Sequence, residues 1–82
     1  YVQFKMGQYP ESLAAYEQAL KLDADDTASL NGAGVCLMSQ YLAGRREDMS
    51  LRERAIGYWQ KSVRLKGDQQ KIIDLIARYR GL

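Results

Sequence analysis

The chain has 82 residues, 46% of them apolar and 27% charged, which suits a folded unit of at most one small domain and is too apolar for a disordered chain. It has no histidine and a single cysteine, Cys36, so the usual general base near neutrality, an internal disulfide framework and a CxxC metal site are all excluded. The formal charge of +2 hides an asymmetry: residues 1–40 carry Lys5 and Lys21 against five acids, whereas residues 41–82 carry ten bases against five acids. No apolar run reaches the roughly 18 to 20 residues that span a bilayer. The chain opens without an initiator methionine or a signal-like segment and reads as an excised fragment. The lone thiol fits a reducing compartment such as the cytoplasm, but composition fixes no cellular address.

The periodicity is helical nearly throughout. Over Glu11–Leu22, the positions Leu13, Tyr16, Ala19 and Leu20 recur at three- and four-residue spacing, with Pro10 suited to the first turn. Asp23-Ala-Asp-Asp ends this segment, and Asp26 or Thr27 can cap the next. A second helix is expected from Ala28 to about Ala43, carrying Leu30, Ala33, Leu37 and Met38 and stopped by Gly44. The polar stretch Gly44–Met49 reads as a loop. Ser50-Leu-Arg-Glu53 matches a capping box that starts a third helix running to about Lys66, with Leu51, Ala55, Ile56, Trp59 and Val63 on its buried side. Gly67 stops it, and Asp68 is the expected cap of a fourth helix bearing Ile72, Leu75, Ile76 and Tyr79. No segment alternates with a period of two, so the fold class is all-α.

A shift of 43 residues superposes the chain on itself. It pairs Ser12 with Ala55, Leu13 with Ile56, Tyr16 with Trp59, Ala19 with Ser62, Leu20 with Val63, Lys21 with Arg64 and Leu22 with Leu65. The pattern small-x-x-x-aromatic-x-x-small-aliphatic-x-aliphatic has a packing logic. A small residue admits a neighbouring helix, and the aromatic fills the space one turn on.

These residues resemble the tetratricopeptide repeat (TPR) family. Gly7-Gln-Tyr9-Pro-Glu-Ser12 through Tyr16, Ala19, Leu20 and Leu22-Asp is similar to the second helix of that family's 34-residue hairpin, with Ser12 for the usual alanine and Ala24 for the usual proline. Leu30-x-x-Ala33-Gly34-x-x-Leu37 resembles a softened first-helix signature. Ala55, Trp59, Ser62, Val63 and Leu65 repeat the second-helix one, with Gly67 where proline is usual. From Gly34 to Ala55 the spacing exceeds the family pattern by about nine residues. The resemblance implies antiparallel helical hairpins stacked as a short α-solenoid, a fragment of a right-handed superhelix. Residues 1–26 would close a first repeat, with Tyr1–Met6 as the tail of its first helix; 27–67 would form a second repeat enlarged by the insertion; 68–82 would form a C-terminal capping helix.

The same resemblance implies a protein-interaction scaffold that holds a peptide or a partner's helix in its concave groove. Carried over by position, that face comprises Ala28, Asn31, Val35, Met38 and Ser39 on one helix and Lys71, Asp74 and Arg78 on the last; the alternative for each is a solvated face. A carboxylate clamp found in some relatives is incomplete here: Lys71 fits one position, but Gly32 and Leu75 stand where asparagine and arginine are expected. Self-association through an open N-terminal repeat edge is a second reading. A third is nucleic-acid binding through a basic patch of Arg45, Arg46, Arg52 and Arg54, although no aromatic residues interleave with those arginines. Asp23-Ala-Asp-Asp begins like a calcium loop but lacks its glycine and its distal glutamate. Trp59 and Tyr16 read as core, and Cys36 as packed and without a base or cation to activate it. No nucleophile, base and orienter can be assembled, so neither catalysis, a metal nor a cofactor is expected.

Overall fold

The computed structural model describes residues 9–45 and 47–80. The expected tail at Tyr1–Met6 and the patch residue Arg46 lie outside the described residues. The described residues form four α-helices and no strand: α1 (Tyr9–Leu22), α2 (Thr27–Ala43), α3 (Met49–Leu65) and α4 (Gln70–Arg80). Each helix packs on the next. The pairings run antiparallel: Tyr16 lies against Gly32, Trp59 reaches Asn31, and Arg52 near the start of α3 meets Tyr79 near the end of α4. The chain is thus a succession of helical hairpins, as in an α-solenoid.

The helix boundaries follow the internal repeat. α1 ends at Leu22 and α3 at Leu65, while α2 begins at Thr27 and α4 at Gln70, each pair 43 residues apart. Asp26 caps α2, its carboxylate accepting from the backbone N–H of Ala28 and Ser29 and from the Ser29 hydroxyl at 2.8 Å. The acidic turn before it is tied by Asp25 N–H donating to Asp23 Oδ1 at 3.1 Å.

Two helix starts differ from the sequence expectation. α3 starts at Met49, and its cap is Asp48 rather than Ser50. The carboxylate of Asp48 takes both the N–H and the hydroxyl of Ser50, so the serine donates to a stronger, charged acceptor instead of accepting as a cap. α4 is preceded by Gln69, not capped by Asp68: the Gln69 carbonyl accepts the first helical N–H groups, from Ile72 at 3.1 Å and Ile73 at 3.0 Å. α3 ends at Leu65 with Lys66 as its C-cap, the Lys66 N–H closing on Ser62 O. α2 does stop at Gly44, but the left-handed residue is its successor Arg45, at φ 63°.

The core lies along α2. Leu30, Ala33, Cys36, Leu37, Met38 and Tyr41 are buried on that helix, against Leu13 of α1 and Ala55, Ile56 and Trp59 of α3. α2 is therefore apolar nearly all round, as a helix flanked on two sides must be. Ile72, Leu75, Ile76 and Tyr79 of α4 pack on this cluster, yet no residue of α4 is fully buried. The last aliphatic of the repeated pattern is not a core position: Leu22 is 92% exposed and its counterpart Leu65 46%. Both stand at the final residue of their helices, beyond the reach of the neighbouring hairpin.

Candidate functional site: the α2–α4 face

α2 and α4 present their side chains to a common face whose centre is a small hollow. Val35, Met38, Ser39 and Leu42 line it from α2, Leu75 and Tyr79 from α4, and Trp59 of α3 closes it from beneath, enclosing about 140 Å³. The Trp59 and Tyr79 rings sit 6.4 Å apart between centroids, tilted by 38°, a favourable aromatic arrangement. Leu42 is 37% exposed at the rim, whereas Met38 retains only 3% of its surface and contributes to the wall rather than to an open contact. A second hollow of about 290 Å³ adjoins on α4, lined by Lys71, Asp74, Leu75 and Arg78. Leu75 is a wall of both the apolar hollow and the charged one.

At the other end of the face sits a polar cluster. The Asn31 side chain donates from Nδ2 to Gln69 Oε1 at 2.7 Å. Gln69 Nε2 in turn faces three oxygens: Ser62 O at 3.1 Å, Ser62 Oγ at 3.0 Å and Lys66 O at 2.8 Å. Those carbonyls accept only, which fixes the orientation of the Gln69 amide and, through it, of Asn31. The remaining oxygen, Asn31 Oδ1, is buried and has no donor among the described residues. A buried acceptor in that state carries an uncompensated desolvation cost.

Of the residues read from sequence as a groove, Val35, Met38 and Ser39 line the apolar hollow and Lys71, Asp74 and Arg78 the charged one. Asn31 is half-buried and bonded, and Ala28 is exposed. Sequence reasoning missed Gln69, Leu42 and Tyr79 as parts of this face. Gln69 had a usable signal, since the 43-residue shift places it opposite the capping Asp26.

The arginines fall elsewhere. Arg52 donates from Nη1 to the Tyr79 carbonyl at 2.6 Å, placing a cation at the C-terminal end of α4, where the helix dipole favours it. Arg54 pairs with Glu17 at 3.2 Å, and the same carboxylate oxygen accepts from Tyr58 Oη at 3.1 Å. Burial, and then the bond to Glu17, push the Tyr58 phenol above its ordinary pKa. Arg45 is exposed.

Residues 1–40 match a family model described as TPR repeat. Over that span the chain is similar to a tetratricopeptide repeat. The matched span runs through α1 and most of α2, the two helices whose close approach is set by Tyr16 against Gly32. TPR repeats generally form non-catalytic scaffolds that mediate protein–protein interaction. No curated protein and no solved structure matches the chain. No helix among the described residues is long and apolar enough to cross a membrane, and those residues include no cluster of three or more candidate metal ligands.

Proposed function

We propose that this chain is a protein-binding module, without catalysis of its own, that holds a peptide or a partner's helix on the α2–α4 face. The observation that carries this reading is the apolar hollow lined by Trp59 and Tyr79, with Leu75 as a wall shared with the Lys71–Arg78 hollow. A ligand with one apolar side chain seated beside Leu42 and Leu75 and an acidic group beside Lys71 or Arg78 would match both parts. Packed helices hold these groups in place before binding, so little ordering entropy is lost when the partner arrives. The matching helix ends support treating 27–67 as one enlarged repeat, with 1–26 closing an earlier one and 68–82 acting as a cap.

Capture from native lysate on the immobilised chain, with and without nuclease, tests this reading. Protein partners should survive nuclease and be lost on Lys71→Glu/Arg78→Glu. Partners that vanish with nuclease and ignore that double variant would reject the groove in favour of nucleic acid. Homo-association predicts instead a mass that rises with concentration.

A further inference from the structure

The three methionines are not alike. Met6 lies outside the described residues. Met38 sits in the core with 3% of its surface exposed, whereas Met49, the first residue of α3, keeps 43%. A thioether is a soft nucleophile toward peroxides, and its accessibility governs how fast it reacts. Met49 is open to a dissolved oxidant and Met38 is not.

Met49 is also held in place. The hydroxyl of Tyr41, a residue of α2 that is 4% exposed, donates to Met49 Sδ across 3.8 Å. Among the described residues this is the only bond that hydroxyl makes. On the backbone side, Asp48 takes the N–H of Ser50 at 3.1 Å, which fixes the first turn around Met49. The side chain is therefore anchored at its Cα by a helix cap and at its sulfur by a buried phenol.

A thioether sulfur carries two lone pairs, on opposite faces of its C–S–C plane. Tyr41 engages one, and the buried ring behind that hydroxyl leaves no approach from its side. A peroxide reaches the other. That pair attacks one peroxide oxygen, so the S–O bond forms as the O–O bond breaks. The departing hydroxide takes the proton left on the transferred oxygen and leaves as water. Sulfur gives up two electrons and the peroxide accepts them. The sulfoxide sulfur is chiral, and attack from one face yields one epimer.

The fold accommodates this product. Met49 lies outside the buried core, so a polar oxygen there disturbs no close-packed apolar contact, as it would at Met38.

We propose that Met49 is a site of reversible modification by peroxide, oxidised from the face opposite Tyr41 to one sulfoxide epimer. Tyr41 is the positioning residue that selects the epimer. Reversal falls to whichever of the two epimer-specific methionine sulfoxide reductases accepts it.

Hydrogen peroxide is the probe, added to the folded 82-residue chain and then removed with catalase. Trypsin separates the three methionines into peptides 6–21, 22–45 and 47–52. Sulfoxide should appear in 47–52 roughly tenfold faster than in 22–45, with the far-UV helix signal unchanged. Treating the oxidised 47–52 peptide with each reductase in turn should reveal one epimer in about threefold excess or more. Tyr41→Phe removes one oxygen and keeps the ring; it should bring the epimers to near-equal amounts, because nothing then holds the sulfur in one orientation. The parent chain oxidised in urea should do the same. Equal oxidation of Met38 and Met49 in the folded chain would overturn the proposal. So would equal epimers in the folded parent, or an excess that Tyr41→Phe leaves intact. Loss of the helix signal as Met49 is oxidised would overturn it too, since the change would then be damage and not a reversible modification.

Discussion

The indole of Trp59 lies so close to α2 that a Cβ at Gly34 would sit 2.2 Å from its Nε1. The same nitrogen donates to the Asn31 carbonyl at 3.3 Å, three residues back on α2. Tyr16, the counterpart of Trp59 in the first hairpin, occupies the other flank, where a Cβ at Gly32 would fall 2.3 Å from its ring. α2 is thus held between two repeat-equivalent aromatics, each resting on backbone that only glycine leaves bare.

Glycine at 34 is therefore fixed by space and not by backbone dihedral, and the contrast with Gly57 makes this measurable. Gly34→Ala forces the buried indole to move and should destabilise by about 1–3 kcal/mol, the range for overpacking a filled site. A Cβ at Gly57 in α3 meets nothing within 4 Å, and the position is exposed. Gly57→Ala should then stabilise by up to about 1 kcal/mol through helix propensity. Urea denaturation of both variants should give midpoints on opposite sides of the parent chain, and two shifts of the same sign would refute the packing argument.

Gln69 ties three elements: its side chain accepts from Asn31 of α2 and donates to Ser62 and Lys66 at the end of α3, while its backbone carbonyl starts α4. Gln69→Ala leaves Asn31 Nδ2 without its acceptor in a half-buried setting, for a cost of about 1–3 kcal/mol. Asn31→Ala alone removes both the donor and the orphaned Oδ1, so it should cost less than Gln69→Ala. A double-mutant cycle should show the two changes coupling by at least about 0.5 kcal/mol. Additive losses would mean that the Asn31–Gln69 bond contributes nothing.

Much of the architecture was legible because the 43-residue self-similarity and the three- and four-residue spacing both report on which faces are buried, and burial is what the fold is made of. Trp59, Leu30, Ala33 and Leu37 fall in the core as their spacing requires. The caps were less legible: Asp48 and Ser50 are both good capping residues two positions apart, and the choice turns on which accepts from the other. Leu22 and Leu65 look like core from pattern alone, yet a pattern does not say where the neighbouring helix ends. Of the candidate face, Val35 and Ser39 line one hollow and Lys71 and Arg78 the other, while Tyr79 and Leu42 join them only because α4 crosses α2 at that height, a tertiary fact with no local signature.

Cys36 has no accessible surface, and burial pushes its thiol up to about 11 from an ordinary 9.0. At a fixed pH below both values, the thiolate fraction falls by about a hundredfold, and the thiolate is the nucleophile. Labelling by a disulfide reagent at pH 8 should therefore be far slower than for a short peptide containing the same cysteine. Its rate should rise in step with unfolding as urea is added. Rapid labelling of the native chain, at the rate of the peptide, would show that α2 opens locally without global unfolding.

The α3 cap adds an acid-dependent term to stability. The hydroxyl of Ser50, with the backbone N–H groups of Ser50 and Leu51, holds the Asp48 carboxyl below its ordinary 3.8. A carboxyl whose pKa is lower folded than unfolded contributes its full stabilisation above the unfolded value, and loses it as pH falls through the folded one. The contribution is therefore intact at neutral pH and fades from about pH 4 downward. Asp48→Asn keeps a capping oxygen but cannot titrate. Urea midpoints taken between pH 2 and 6 should show the parent chain losing stability across that window more steeply than Asp48→Asn, with the two curves converging at the acid end. Parallel curves would show that Asp48 is not held as a charged cap, and that Ser50 carries the start of α3 after all.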